Sequence, residues 1–365
     1  MSFRGRDDLD RKNKHLLFNL FWSIGFTPRL EIPIFEFMGD EKFGSEITDL
    51  DVFGWKYIPC VGILKLTGSA KGEAKNVSHK TEILKLKGVN NYFKPIQSFY
   101  IHDSSPTDEL YWFAKKLSID ILSKASIISM NNRIEKKLEI TDIGAKSLMK
   151  AIIRAKKLNK YDFLTSQVWI TKNPDKIYKL EGLLNESIKD FKDLDVKFNL
   201  IFVLYIISTY IISIVEILEQ IHNSTIKDYS FKLKLAMYGG DDTFKTVVDL
   251  IDGFNLLLKN QYNEVNNLYK YESFIPRFEK HSDLIKHFFI NVEIIFDAIR
   301  ILDYIIFTYA EKDDLIDINN ILDDFIDSKK KQEKLLGFFR HLFEYFKQNI
   351  NQNYDTVAKK LNILR

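Results

Sequence analysis

Two short groups of charged residues have the composition of a site that cleaves phosphodiesters. Asp49 and Asp51 lie in the apolar stretch ITDLDVFG, and Glu73 and Lys75 lie in the stretch GEAKN. Residues two positions apart share one face of a β-strand, so each pair should point the same way if its segment is a strand. Carboxylate oxygens are the ligands that Mg²⁺ prefers, and an ammonium offsets phosphate charge. The two groups therefore predict metal-assisted hydrolysis of a phosphodiester.

The segments that must position these residues predict a mixed sheet with helices on its faces. Their hydrophobic spacing alternates between the period of a helix and that of a strand, and glycines separate the strands. In chain order we expect a helix over 14–24, strands over 29–37, 47–57 and 61–66, a helix over 80–93, a strand over 97–101, a helix over 107–118 and a strand over 119–122. This order is typical of a sheet covered by helices.

Beyond about residue 131 the strand signals fade and a 3.6-residue hydrophobic period dominates. The predicted helices cover 142–158, 177–193, 198–222, 243–260, 283–309, 316–326 and 331–349. The fold class is therefore predicted as α+β, with a mixed-sheet domain over 1–130 and an all-helical domain over 131–365.

The first of these domains resembles the PD-(D/E)xK nuclease superfamily, which has the restriction-endonuclease-like fold. The resemblance covers about residues 12–128. The stretch TDLDV at 48–52 is similar to the beginning of the family's catalytic hairpin, and GEAKN at 72–76 is similar to its core strand. The stretch AKKLSIDIL at 114–122 resembles the late passage from a helix to a strand that many members have.

The resemblance implies a role for each matching residue. Asp51 and Glu73 would hold the metal ion together with the backbone carbonyl of Ala74, and Lys75 would be the catalytic lysine. Asp49 would support this site or hold a second metal ion. The implied cofactor is Mg²⁺ or Mn²⁺, and the implied activity is hydrolysis of phosphodiester bonds, with DNA favoured over RNA. Members of this superfamily often serve restriction or phage defence.

A basic stretch follows the predicted nuclease domain. The whole chain has a formal charge of only +3, but the residues from Arg133 to Lys160 carry nine Lys or Arg against three Asp or Glu. Such a stretch predicts contacts with the phosphate backbone of a nucleic acid. The candidate nucleic-acid-binding residues are Lys146, Lys150, Arg154, Lys156 and Lys157.

An alternative hypothesis is a non-catalytic scaffold or nucleic-acid-binding protein that carries a degenerate nuclease-like domain. In that case Asp49 and Asp51 would cap a turn, and Glu73 and Lys75 would form a surface ion pair worth less than about 1 kcal/mol. The helical domain would serve recognition, regulation, homo-oligomerisation or the binding of a partner protein under either hypothesis.

The stretch from Phe198 to Val215 contains eighteen residues without a charge, which is close to the length that spans a bilayer. A helix buried on all sides of a helical domain has the same pattern, and this interpretation is favoured over a membrane anchor. The charged segment from Met1 to Asp10 lacks the apolar run of a secretory signal. A cytoplasmic location is therefore predicted.

Cysteine and histidine contribute little to the predicted chemistry. The single cysteine, Cys60, excludes an intramolecular disulfide and is expected to be buried. Each of the seven histidines lacks a second metal ligand at a useful spacing, so no histidine site is predicted.

Overall fold

The fold is known from a computed structural model of the 365-residue chain. The structure describes residues 3–37, 43–71, 78–133, 140, 163–169, 171, 173–190, 197–221, 229–237, 241–261, 278–309 and 317–363. Within these residues, a five-stranded mixed sheet with its helices precedes a part of the chain that is mostly helical. The predicted α+β class is therefore confirmed, whereas the division into two domains at residue 130 stays a prediction.

The N-terminal part has the predicted order of elements and adds one helix at its end that was not predicted. It consists of α1 (Phe3–Ser23), β1 (Thr27–Phe37), β2 (Phe43–Ile58), β3 (Gly62–Ala70), α2 (His79–Phe93), β4 (Gln97–His102), α3 (Asp108–Lys116), β5 (Asp120–Ser123) and α4 (Lys124–Arg133). The strands follow one another across the sheet in chain order. The pairs β1–β2 and β2–β3 are antiparallel, and the pairs β3–β4 and β4–β5 are parallel. The carboxyl ends of β3 and β4 therefore lie side by side.

Local sequence signals account for several helix ends. The Thr107 hydroxyl oxygen accepts a hydrogen bond from the N–H of Leu110 and caps α3, as the sequence predicts. Gly25 follows α1 with a φ of 86°, a left-handed conformation that glycine adopts without strain. The start of α1 is the exception: the helix begins well before the predicted residue 14, because its charged first turns lack the apolar period that would reveal them.

Helix α1 packs directly on the strand backbone. A Cβ atom placed on Gly68 of β3 would lie 2.1 Å from Cδ2 of Leu17, and one on Gly54 of β2 would lie 2.9 Å from Cδ2 of Phe21. Leu17 and Phe21 are both fully buried. The two glycines thus let one helix approach two neighbouring strands.

We expect the substitution Gly68→Ala to lower the free energy of unfolding by about 1–3 kcal/mol, because the added methyl group overpacks the core at Leu17. Urea denaturation measures this change. The matched control is Gly88→Ala in the interior of α2, where a Cβ atom would meet nothing within 4 Å. That control should stabilise the protein by up to about 1 kcal/mol through helix propensity. Equal effects of the two substitutions would contradict the close approach of α1.

Most described helices of the second part follow the predicted hydrophobic segments, but those over Tyr229–Met237 and Tyr354–Lys360 were not predicted. The described helices are α5 (Asp175–Asp190), α6 (Lys197–Ile221), α7 (Tyr229–Met237), α8 (Asp241–Gln261), α9 (Phe278–Ile290), α10 (Val292–Tyr309), α11 (Ile318–Phe325), α12 (Lys329–Asn349) and α13 (Tyr354–Lys360). The prediction of a single helix over 283–309 was wrong, because the helix is interrupted at Asn291. There the side-chain amide donates a hydrogen bond to the carbonyl of His287 and ends α9. The helix predicted over 142–158 lies outside the described residues.

A buried ion pair joins the sheet to the helices. Arg29 at the start of β1 donates two hydrogen bonds to the carboxylate of Asp303 on α10, at 2.8 and 3.1 Å. Ser208 on α6 donates to the same carboxylate at 2.8 Å. The guanidinium also lies against the rings of Trp169 and Tyr205, at 5.6 and 5.4 Å from their centroids. Arg29 and Asp303 are both almost fully buried, so β1, α6 and α10 share one core.

The uncharged stretch predicted to be a core helix lies in α6. The stretch Asn199–Ile221 is long and apolar enough to cross a membrane, but 94% of its most apolar window is buried inside the fold. Such burial is typical of a core helix of a soluble protein. The expectation that Cys60 is buried was wrong: this residue is exposed, in the turn between β2 and β3.

Candidate active site

Asp51 lies where β2 and β3 separate from each other. Backbone pairing of the two strands extends from Ile58 and Gly62 to Val52 and Gly68. Asp51 is the first residue of β2 beyond the paired region. At this point the side chain of Asp51, rather than the backbone of β2, binds β3. Its Oδ2 atom accepts hydrogen bonds from the N–H of Ala70 and the hydroxyl of Ser69, both at 2.9 Å. The carboxylate is 2% exposed. It is therefore held rigidly at the carboxyl end of β3.

The second oxygen of Asp51 faces two ammonium groups. The Nζ atom of Lys14 on α1 lies 2.8 Å from Oδ1, and the Nζ atom of Lys71 lies 3.5 Å from it. Lys14 also lies 3.2 Å from a carboxylate oxygen of Glu31 on β1 and 3.7 Å from one of Asp49 on β2. Three carboxylates from two neighbouring strands thus surround one positive charge.

These contacts keep both buried partners ionised. Burial by itself would raise the pKa of Asp51, but the charges of Lys14 and Lys71 and the hydrogen bonds to the carboxylate lower that pKa below its ordinary value. Burial would lower the pKa of Lys14, but the charges of Asp51, Glu31 and Asp49 raise it above its ordinary value. At neutral pH the site therefore holds separate positive and negative charges.

Two histidines lie next to each other at the carboxyl end of β4. The rings of His79, at the start of α2, and His102, the last residue of β4, lie 4.4 Å apart between centroids. His79 Nδ1 hydrogen-bonds to the hydroxyl of Tyr100 at 2.7 Å. The side chain of Asn13, the neighbour of Lys14 on α1, donates to Asp103 at 2.6 Å. Helix α1 therefore contacts the middle of β2 and the residue that follows β4 through adjacent residues.

The structure brings together one of the two predicted pairs. Asp49 and Asp51 share a face of β2 as predicted, since both lie within 4 Å of the Lys14 ammonium. Glu73, Ala74 and Lys75 belong to residues 72–77, outside the described residues, so their convergence with Asp51 stays a prediction. The candidate nucleic-acid-binding residues also lie outside the described residues; these are Lys146, Lys150, Arg154, Lys156 and Lys157.

Sequence reasoning missed Lys14 and the histidine pair. Lys14 carried a signal: it stands three residues before Leu17 and seven before Phe21, so it lies on the helix stripe that faces the sheet, where an unpaired lysine is rare. The sequence contains no comparable signal for His79 and His102. They are far apart along the chain, and only the packing of α2 on β4 makes them neighbours.

Within the ranges that the structure describes, no group of three or more His, Cys, Asp or Glu is arranged to hold a metal ion. The assignment of the site therefore depends on the position of Asp51 and on the residues of 72–77. Comparisons with known proteins found no matching family model, no matching curated protein and no matching solved structure.

Proposed function

We propose that this protein is a metal-dependent nuclease with a restriction-endonuclease-like fold in its N-terminal part, and that it acts on DNA in preference to RNA. The observation that carries the proposal is the buried, ionised carboxylate of Asp51 at the point where β2 and β3 separate. The element order α-β-β-β-α-β supports it, since the resemblance of residues 12–128 implies the same order. A cytoplasmic role in restriction or phage defence is part of this proposal.

The proposed set of oxygen ligands, completed by residues of 72–77, would suit a hard divalent cation. The carboxylates of Glu31, Asp49 and Asp51 all lie within 4 Å of the Lys14 ammonium, so negative charge is concentrated at this point of the sheet. Asp51, Glu73 and the carbonyl of Ala74 would hold Mg²⁺ or Mn²⁺ with oxygen ligands only. When bound, such an ion polarises the phosphoryl group and stabilises the charge of the leaving oxygen.

The lysines would bind and orient the substrate. Lys71 precedes Glu73 and Lys75 in the chain, and its ammonium lies 3.5 Å from the Asp51 carboxylate. A phosphate at this edge of the sheet would therefore meet the ammonium of Lys71 directly. Lys75 would orient the attacking water and offset the charge of the phosphate. Cleavage of the bond to the 3′ oxygen would leave a 5′-phosphate.

The basic residues between Arg133 and Lys160 would extend the contact with nucleic acid beyond the site. Because each phosphate contact releases a counterion, replacing Lys146, Lys150 and Arg154 with glutamine would weaken the salt dependence of binding. The helical part would add recognition, regulation or oligomerisation, with a second copy of the chain or another protein as partner.

One observation favours the alternative of a non-catalytic scaffold. Lys14 and Lys71 already neutralise Asp51, as the two halves of a structural ion-pair network would. In a scaffold of this kind the nuclease-like part would bind nucleic acid or a partner without cleaving it.

A cleavage assay separates the two functions. Wild-type protein and the variant Glu73→Ala are incubated with plasmid DNA, single-stranded DNA and RNA in the presence of Mg²⁺, Mn²⁺ or a chelator. A nuclease cleaves DNA with either metal, and both the chelator and the variant abolish cleavage. Cleavage that persists in Glu73→Ala would assign the activity to another site, and its absence from the wild-type protein would favour the scaffold.

A further inference from the structure

Two basic side chains converge beside Gly25, in the turn between α1 and β1. A Cβ atom placed on Gly25 would lie 3.2 Å from the Nζ atom of Lys56 on β2 and 3.3 Å from the Nη1 atom of Arg300 on α10. Because both distances start from one point, the two nitrogen atoms are separated by no more than their sum. Asp51 and Lys56 are five residues apart on β2, which corresponds to about 17 Å along a strand. The two cations are therefore separate from the Asp51 site.

Neither of the two cations forms an ion pair with a carboxylate among the residues that the structure describes. The carboxylates whose charges act on Arg300 are those of Asp297 and Asp303. Each of them is bound to another cation, since Asp297 lies 2.6 Å from Lys331 and Asp303 lies 2.8 Å from Arg29. Burial lowers the pKa of the Arg300 guanidinium, and the charges of these two carboxylates compensate only in part.

The guanidinium of Arg300 is fixed in position but has hydrogen-bond donors left over. Its central carbon lies 4.3 Å from the centroid of the Trp22 ring, and its Nη2 atom donates to the Trp22 carbonyl at 3.2 Å. Its Nε atom is buried without an acceptor, and Nη1 is the nitrogen beside Gly25. A buried donor without an acceptor is costly and indicates an acceptor from outside the chain.

The ammonium of Lys56 is held close to this guanidinium despite the repulsion between them. Its Nζ atom lies 5.4 Å from the centroid of the Phe26 ring, and the side chains of both Lys56 and Arg300 are half-buried. Burial and the charge of Arg300 lower the pKa of Lys56 below its ordinary value. A bound anion would relieve this repulsion and accept hydrogen bonds from both groups.

A dianionic phosphate matches the two cations in charge and in shape. A terminal phosphate carries about −1.5 to −2 charges at neutral pH, whereas a carboxylate or an internal phosphodiester carries one. Its separate oxygens can accept from a guanidinium and an ammonium at the same time, at the roughly 2.7–2.9 Å of charged hydrogen bonds. We propose that Lys56 and Arg300 form a binding site for the terminal phosphate group of a small molecule, with no side chain at Gly25 to shield the two nitrogens.

Isothermal titration calorimetry with inorganic phosphate, at neutral pH and constant ionic strength, tests this site. We expect the wild-type protein to bind one phosphate per chain. The variants Lys56→Met and Arg300→Met should each weaken binding at least about tenfold, because each removes a charged hydrogen bond. Methionine keeps much of the apolar stem of both side chains. Melting curves followed by circular dichroism establish that each variant is folded, and Lys56→Met decides the test if Arg300→Met does not fold.

The matched control is Lys65→Met on β3. Lys65 is also a half-buried lysine, but it lies opposite Trp55 in the sheet, whereas Lys56 lies opposite Leu64. Adjacent residues of a strand point to opposite faces, so the two lysines lie on different faces of the sheet. The control should bind phosphate as the wild-type protein does. Equal weakening by Lys65→Met would attribute binding to overall charge and would overturn the inference.

Three further results would overturn the inference. The first is a wild-type protein that shows no saturable binding of phosphate, and the second is binding that Lys56→Met leaves unchanged. The third is displacement of the phosphate by a DNA oligonucleotide without terminal phosphates, which would assign the two cations to the backbone of nucleic acid. Acetate at the same concentration should not compete, because it carries a single charge. None of the variants alters Asp51, so these results are independent of the proposed nuclease function.

Discussion

Cleavage of DNA by the variant Asp51→Asn should be about 1,000-fold slower than by the wild-type protein, which corresponds to about 4 kcal/mol of transition-state stabilisation. Asparagine keeps the shape of aspartate, and its side-chain oxygen can still accept hydrogen bonds from Ala70 and Ser69. Its amide group, however, has no charge for a metal ion. Under the proposed function, the change therefore removes a metal ligand while the contacts with Ala70 and Ser69 are preserved. Initial rates with saturating Mg²⁺ measure the effect.

Loss of the ion pair with Lys14 complicates this experiment, because it can destabilise the fold as well. The matched control is Lys14→Met, which removes the same ion pair at 2.8 Å but leaves the Asp51 carboxylate in place. Methionine also keeps much of the length and apolar character of the lysine stem. This control should unfold at a similarly lowered temperature but retain cleavage. Equal loss of cleavage in both folded variants would show that the carboxylate acts only through its ion pair.

The substitution Asp303→Ala should lower the free energy of unfolding by about 3–5 kcal/mol, because it leaves the buried guanidinium of Arg29 without its carboxylate. Arg29 and Asp303 are 2% and 1% exposed, so water cannot replace the lost partner. The Ser208 hydroxyl loses an acceptor as well. Denaturant unfolding followed by far-UV circular dichroism measures the change.

A double substitution provides the control for this prediction. Replacing Arg29 with methionine and Asp303 with leucine removes both charges at once and fills a similar volume with apolar atoms. We expect the double variant to be more stable than Asp303→Ala and close to wild type, since an uncompensated buried charge is the main source of the loss. A loss below about 1 kcal/mol in Asp303→Ala would show that this ion pair does not hold the sheet to the helices.

Local patterns were enough to predict much of the fold. The alternation of apolar and polar residues predicted β2 across Asp49 and Asp51, and their common face is confirmed by the shared contact with Lys14. The hydroxyl of Thr107 and the conformation of Gly25 acted as the helix signals that their residue types predict. Each of these features depends on neighbours within a few positions, so a single sequence contains the necessary information.

Features that depend on contacts between distant elements were not predicted, because a local pattern contains no information about them. The break at Asn291 depends on one side chain that competes with the helix backbone, inside a segment whose hydrophobic period continues without interruption. The pairing of Arg29 with Asp303 joins residues 274 positions apart, and neither has a local pattern that points to the other.

The amino-acid sequence by itself determined the order of helices and strands as far as β5, the α+β class and the pairing of two carboxylates on one strand, because short-range periodicity and capping specify these. Tertiary structure alone decided that Lys14 enters the carboxylate cluster, that His79 meets His102, and that the Asp51 side chain replaces a backbone partner at the end of β3. These contacts arise only where separate elements pack together, since their stability comes from burial and charge pairing between residues that are distant along the chain.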